Sequence, residues 1–137
     1  MADESQRYDM EHLAKFRREI RRFLQFSEQA AISAGLQPQQ HQLMLQVAGA
    51  PQDESVTVSY IADLMGLKHH TAVGLSKRCE AAGLLRRVQD PQDRRCVVLQ
   101  LTSLGRRALR QLSEVHTQEL RDLAPSLIQA LSQIQKT

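Results

Sequence analysis

Aromatic side chains are scarce in this 137-residue chain, which has no tryptophan and an aromatic fraction of 4%. Proteins that bind single-stranded nucleic acid need exposed rings on which bases can stack. Cysteine is equally rare, since only Cys79 and Cys96 occur. Two cysteines at this separation match neither a disulfide framework nor a zinc site. These two absences argue against a stacking platform and against a cross-linked or zinc-stabilised fold.

Long apolar runs are missing too, because no stretch approaches the roughly 20 residues of a membrane span. The N-terminus from Met1 to Gln6 is acidic and polar, unlike the apolar segment of a signal peptide. These features predict a cytoplasmic protein.

Catalytic motifs are also absent. The histidines show no His-Glu-x-x-His pair, and the chain has no nucleophile elbow and no glycine-rich phosphate loop. His41 and His116 lie on predicted helices without a second histidine at helical spacing, which does not favour a metal site. We therefore expect no enzymatic activity, no cofactor and no metal. The five histidines are His12, His41, His69, His70 and His116.

The length and composition are those of one globular domain. The chain is long enough for one hydrophobic core and too short for two ordinary domains. Hydrophobic residues make up 42% of it and charged residues 24%, and its net charge is +3. The segment from Gly66 to Arg95 alone has seven cationic residues against three acidic ones. Such a local excess is typical of a surface that neutralises phosphates.

The segment from Val56 to Thr102 has the pattern of a helix, a tight turn, a second helix and a two-stranded ribbon. The first helix is predicted to begin at Thr57, whose hydroxyl can cap it, and to end at Gly66. The second helix is predicted from His69 to Ala82. Its inward residues follow helical spacing: Ala72, Leu75, Cys79 and Ala82. This order of elements predicts a winged helix-turn-helix, a fold that reads duplex DNA.

The outer face of this second helix combines small, polar and cationic side chains, and we expect it to enter a major groove. Its members are His69, His70, Val73, Gly74 and Lys77. Glycine inside a helix costs about 1 kcal/mol relative to alanine, so Gly74 needs a compensating contact. Either Gly74 relieves a contact inside the protein, or it lets the helix approach DNA closely. The second interpretation is favoured.

After Gly83 the apolar period changes from helical to alternating, which predicts a strand from Leu84 to Gln89. A returning strand from Cys96 to Leu101 is rich in β-branched and aliphatic residues, as a strand packed on helices should be. Val56 is expected to add a short third strand. Together these segments predict a small antiparallel ribbon, or wing.

The turn between the two strands, Asp90 to Arg95, has two arginines at its tip. Such a pair is often only solvated, but its position after a recognition helix favours insertion of Arg94 and Arg95 into a narrow minor groove. Asp93 is expected to hold one of these arginines by a charge-assisted hydrogen bond.

Four segments resemble the MarR family of bacterial transcriptional regulators: Leu64–Gly66, Glu80–Leu85, Asp90–Arg95 and Leu101–Gly105. The Asp-x-Arg wing followed by Leu-Thr-x-x-Gly is fairly specific to that family, and the length and helix layout match along nearly the whole chain. The resemblance implies that Asp93 and Arg95 are the wing pair and that the chain is a homodimer able to respond to a small ligand. Lys68 stands where a serine or aspartate often caps the recognition helix, which implies a weaker cap.

The remaining chain is predicted to be helical, with one long helix from Tyr8 to Ala34 and a helix from Pro38 to Gly49. A further helix from Thr102 to Leu123 is expected to break at Ala124-Pro125 and to be followed by a last helix. The apolar stripes of the terminal helices exceed what a small DNA-binding module needs. We therefore expect one MarR-like domain in which residues 38–102 form the DNA-binding lobe and residues 1–35 and 103–137 form dimerisation helices.

The sequence thus predicts a mainly α fold with a small β-wing, and a sequence-specific homodimeric transcription factor on a palindromic duplex operator. We interpret it as a repressor released by a small-molecule effector. Base contacts are expected from His69, His70, Val73 and Lys77, and phosphate contacts from Thr57, Thr71, Arg78 and Arg87. The main alternative is a winged-helix module for protein interaction or dimerisation without DNA binding. A small enzyme is the more distant alternative.

Overall fold

The computed structural model describes residues 3–136, so Met1 and Ala2 of the predicted polar N-terminus lie outside the described residues. The elements in chain order are α1 (Glu4–Ser33), α2 (Pro38–Ala48), α3 (Val58–Met65), α4 (His69–Ala81), β1 (Leu85–Gln89), β2 (Val97–Leu101) and α5 (Ser103–Gln135). This mainly helical chain with one small antiparallel ribbon confirms the predicted fold class. No helix within residues 3–136 is long and apolar enough to cross a membrane.

The chain divides into two compact units, and both α1 and α5 contribute to each of them. The winged unit is Ala31–Leu112. It contains residues 31–37 and 103–112 in addition to 38–102. The helical pair consists of the described residues before Ala31 and after Leu112.

The core of the winged unit is built from the inner faces of α2, α3 and α4 and from the ribbon. Its largest fully buried apolar side chains are Leu43, Met44, Ile61, Leu75 and Leu85. The predicted inward residues of α4 are confirmed at Ala72, Leu75 and Cys79, which are all 0% exposed. The prediction was wrong for Ala82, which is exposed because α4 ends at Ala81 and Ala82 is its C-cap.

Two glycines end the helices of the helix-turn-helix in left-handed backbone conformations, which glycine adopts without steric cost. Gly66 follows α3 with φ 65°, and Gly83 follows α4 with φ 77°. In each turn the next N–H donates back into the helix, from Leu67 to the Ala62 carbonyl at 2.9 Å and from Leu84 to the Cys79 carbonyl at 3.0 Å. Both predicted helix ends are therefore confirmed to within one residue.

The ribbon pairs β1 with β2 in an antiparallel register, with Arg87 opposite Leu99. The third strand expected at Val56 is not formed. The Val56 carbonyl does accept the Leu99 N–H at 2.8 Å, but the ladder is limited to a single bridge between Thr57 and Val98. On its C-terminal side the extended segment ends at Thr57, because α3 begins at Val58.

Within the helical pair, α1 and α5 run antiparallel. Tyr8 Oη donates to Gln133 Oε1 at 3.0 Å, and Lys15 Nζ donates to Gln129 Oε1 at 3.2 Å. Further along, a buried hydrogen bond of 2.8 Å joins Ser27 Oγ to His116 Nε2. Residues later in α1 thus bond to residues earlier in α5, as expected for antiparallel helices.

α5 is one continuous helix of 33 residues, so the predicted break at Ala124-Pro125 was wrong. Proline removes one backbone donor and clashes with the preceding turn, at a cost of about 3 kcal/mol. Packing offsets that cost, because Leu123 before Pro125 and Ala130 after it are both buried. Pro125 itself is exposed.

Candidate nucleic-acid interface

Thr57 caps the first helix of the helix-turn-helix, as predicted. Its Oγ1 accepts the Tyr60 N–H at 3.1 Å, and this bond satisfies one unpaired donor of the first turn of α3. Thr57 is half-buried. The Thr57 hydroxyl accepts this capping bond and keeps its own O–H as a donor, so the predicted phosphate contact stays a prediction.

The N-terminal half and the outer side of α4 are open to solvent. His69, His70, Lys77 and Arg78 are exposed, whereas Thr71, Val73 and Gly74 are half-buried. Helical spacing places His69, Val73 and Lys77 along one line on this side. The N-cap Lys68 makes no side-chain capping hydrogen bond, as expected from its departure from the family pattern. We call the exposed surface of α4 the recognition face; it is formed by His69, His70, Val73, Gly74 and Lys77.

Gly74 has no steric reason inside the winged unit to lack a side chain. A Cβ built on it would meet only Arg78 Nη1, at 3.6 Å, which is an ordinary van der Waals distance. Its φ is also negative, as any residue in a helix would have. The described part of the chain therefore gives no support to the alternative that Gly74 relieves an internal contact.

The two arginines of β1 point to opposite sides of the ribbon. Arg87 shares the inner side with Leu85, and its Nε is buried without a hydrogen-bond partner among the described residues. Its backbone N–H donates to Glu80 Oε2 at 2.8 Å. Arg86 lies on the outer side and is exposed. The sequence prediction gave a phosphate contact to Arg87 and not to Arg86, although the alternation that buries Leu85 already places Arg86 on the exposed side.

The turn of the wing is closed by backbone hydrogen bonds. Asp90 donates its N–H to the Cys96 carbonyl at 2.9 Å, and Cys96 donates its own to the Asp93 carbonyl at 2.9 Å. Gln89 Nε2 also donates to the Arg94 carbonyl at 2.8 Å. These bonds hold the tip of the turn, where Arg94 and Arg95 are both exposed.

Asp93 is bonded to Arg95 and orients it. Oδ1 of Asp93 accepts the Arg95 backbone N–H at 3.1 Å and Arg95 Nε at 3.3 Å. Hydrogen bonds from the backbone and then the side chain of Arg95 lower the pKa of Asp93. The Arg95 side chain is 92% exposed, and in the described residues only its Nε is paired. Both terminal nitrogens of its guanidinium therefore face solvent at the tip of the wing.

Neither cysteine has the environment of a reactive thiol. Burial raises the pKa of the Cys79 thiol to about 11. Burial and then the charge of Asp93 raise the pKa of the Cys96 thiol, whose Sγ donates to Asp93 Oδ2 at 3.6 Å. Because the thiolate is the reactive form, both groups are held in the unreactive form at neutral pH.

We expect both thiols of the folded chain to react slowly with a disulfide reagent at neutral pH, Cys79 about 100-fold more slowly than an ordinary cysteine. The measurement is the rate at which the reagent releases its own thiol on reaction with the folded chain. The urea-unfolded chain is the control in which both cysteines react. Fast stoichiometric labelling of the folded chain would contradict this account.

Metal ligands do not cluster in the part of the chain that the structure describes. Among residues 3–136, no three His, Cys, Asp or Glu side chains are placed to hold a metal ion.

Comparison with known proteins gives the following results. Residues 34–95 match the sequence model of a family described as the MarR family. A search of curated protein sequences finds no significant match. AbsC, a MarR family transcriptional regulator from Streptomyces coelicolor, superposes with a TM-score of 0.75 at 20% identity, over 99% of this chain and 90% of its own.

Two further solved structures were determined with bound molecules. MepR of S. aureus, in a DNA complex, has a TM-score of 0.72 at 21% identity, with 88% of this chain and 91% of its own covered. CouR from Rhodococcus jostii, bound to p-coumaroyl-CoA, has a TM-score of 0.62 at 28% identity, with 72% and 67% covered. These proteins share the winged-helix fold described above.

Proposed function

We propose that the chain belongs to the MarR family of winged-helix transcriptional regulators and that it represses transcription as a homodimer on a palindromic DNA operator. In this proposal the recognition face enters the major groove and the wing enters the adjacent minor groove. Two copies related by a twofold axis would engage two half-sites about one helical turn apart.

One observation carries the proposal, namely that the cationic side chains of the winged unit are almost all unpaired. Of the seven lysines and arginines between Gly66 and Arg95, only Arg95 forms an ion pair within the described residues. A positive surface without internal counter-charges is suited to phosphates, and the release of counterions from DNA drives such binding. A winged helix serving only protein contacts has no comparable need for this charge.

The proposed dimer is supported by large apolar side chains of the helical pair that are exposed to solvent. Leu13 and Leu24 of α1 are 54% exposed, and Ile128 of α5 is 63% exposed. Further exposed side chains of the same kind are Met10, Ile20, Val115, Leu120 and Leu131. Monomeric soluble proteins rarely leave so many large apolar groups on two adjacent helices, so a second copy is the expected cover.

The proposed effector is a small molecule that binds one conformation of the dimer better than the other. Support comes from relatives, since CouR was solved with p-coumaroyl-CoA. By the same linkage, an effector that favours a conformation unable to bind DNA releases the operator, which is the behaviour of a repressor.

The experiment is selection of DNA fragments from randomised duplexes by the purified full chain, followed by titration of the best fragment at two salt concentrations. With about six to ten phosphate contacts, affinity should fall roughly a thousandfold or more between about 50 and about 200 mM salt. A palindromic fragment bound by two copies is the expected result. No enrichment by a folded dimer would reject DNA binding and favour a protein-interaction module.

Replacing Arg95 with alanine should weaken binding to the selected fragment by at least about tenfold while leaving the thermal melt unchanged. The reason is that Asp93 orients the Arg95 guanidinium at the tip of the wing. Titration of Arg95→Ala beside Arg110→Ala, an exposed arginine of α5, controls for the loss of one positive charge. Equal affinities of the two variants would mean that the wing has no special contact.

A further inference from the structure

Arg78 does not extend away from the recognition face but lies back over it. A Cβ built on Gly74 would be 3.6 Å from Arg78 Nη1, and no other atom outside the neighbouring backbone approaches it. Gly74 precedes Arg78 by one helical turn in α4. The guanidinium therefore covers the place where residue 74 would otherwise have a side chain.

This position follows from helix geometry. Side chains in an α-helix lean towards the N-terminus, so each covers the surface of the preceding turn. Residue 74 is four before residue 78 and lies on the same helical line as His70. A methyl group at residue 74 would touch the guanidinium at an ordinary van der Waals distance. The end of the Arg78 side chain thus lies directly over Gly74, on the exposed side of α4.

The charge of Arg78 acts on the neighbouring Cys79 thiol, whose pKa it lowers against the larger effect of burial. In the described residues its guanidinium has no hydrogen bond or ion pair, and the nearest acidic residue along the chain, Glu80, accepts a hydrogen bond from the Arg87 backbone. The side chain is exposed. Its five N–H donors are therefore available to a bound partner.

We propose that Arg78 determines sequence specificity by donating two hydrogen bonds to a guanine edge from its position over Gly74. This assignment rests on the proposed function and replaces the phosphate role expected from its position in the sequence. Phosphates flank a helix in the major groove, whereas base edges lie beneath its central face, where the guanidinium is seated. A planar guanidinium matches the O6 and N7 acceptors of guanine, which a single ammonium does not.

The test compares the parent with Arg78→Lys and Arg78→Ala in the same selection from randomised duplexes, with the full base preference at every position as the readout. In the parent, one base pair of each half-site should require guanine. Both variants should lose that preference by about tenfold or more, with the other positions unchanged. Arg78→Lys should keep the affinity for unrelated duplex, because it keeps the charge.

Arg86→Ala is the matched control, since Arg86 is an exposed arginine of the same unit outside α4. It should lower affinity for all sequences by a similar factor and leave the base preferences intact. If Arg78→Ala behaves in the same way as Arg86→Ala, Arg78 is a phosphate contact and the inference is overturned while DNA binding stands. If the parent itself shows no sequence preference, the proposed function fails and the inference fails with it.

Discussion

Gly105→Ala is expected to destabilise the winged unit by about 3 kcal/mol, at the upper end of what overpacking costs. Gly105 lies in the first turn of α5, where the helix crosses the chain at Leu84. A Cβ built on Gly105 would be 3.0 Å from the carbonyl carbon of Leu84 and closer still to its oxygen. The obstacle is backbone, so no side-chain rotation can relieve it.

The Leu84 carbonyl cannot easily move, because its surroundings are tied together. It accepts the Thr102 N–H at 3.1 Å. Thr102 Oγ1 donates to the Gly83 carbonyl at 2.6 Å and accepts the Gly105 N–H at 3.0 Å. A shift of α5 large enough to admit a methyl group would break these bonds together. Thr102 therefore caps α5 and is also part of this crossing.

The matched control is Gly74→Ala, which makes the same chemical change in another helix at a negative φ. Its Cβ would meet only the flexible end of Arg78. Alanine is the better helix former, so stability should rise by up to about 1 kcal/mol. Urea unfolding of both variants measures the difference, and a Gly105→Ala chain as stable as the parent would show that the crossing is not tight.

The same comparison separates stability from function. Gly74→Ala is expected to bind the selected operator more weakly than the parent although it is the more stable protein, because the methyl group occupies the recognition face. A variant that gains stability and loses affinity would identify Gly74 as a residue retained for DNA and not for folding.

Local signals in the sequence accounted for much of this fold. Thr57, Gly66 and Gly83 act on the backbone within a few residues, and each helix end they predict was found. The alternation after Gly83 likewise predicted the ribbon. These features depend on neighbours along the chain, which is why the sequence alone can report them.

Features set by distant contacts were not accessible in the same way. Gly105 was recognised through a motif, but its steric reason is a contact with Leu84 across the fold. A proline usually ends a helix, and only the burial of Leu123 and Ala130 explains why α5 continues past Pro125. In each case tertiary packing decides.

Ile128→Asp is expected to raise the dissociation constant of the proposed dimer by at least about 100-fold, since a twofold interface would bury the new carboxylate twice. Ile128 is the most exposed large apolar side chain of the described residues, at 63%. A monomer can engage only one half-site, so affinity for the operator should fall by a similar factor through the loss of bivalent binding.

Sedimentation of Ile128→Asp as a function of concentration, followed by operator titration, measures both effects. Leu45→Asp is the control, because Leu45 is an apolar residue of α2 that is 40% exposed and lies in the winged unit, outside the helical pair. The dimer dissociation constant and the operator affinity of Leu45→Asp should match those of the parent. If Ile128→Asp stays dimeric, the copies pair through another surface. If it becomes monomeric yet binds the operator as the parent does, DNA recognition does not require the dimer.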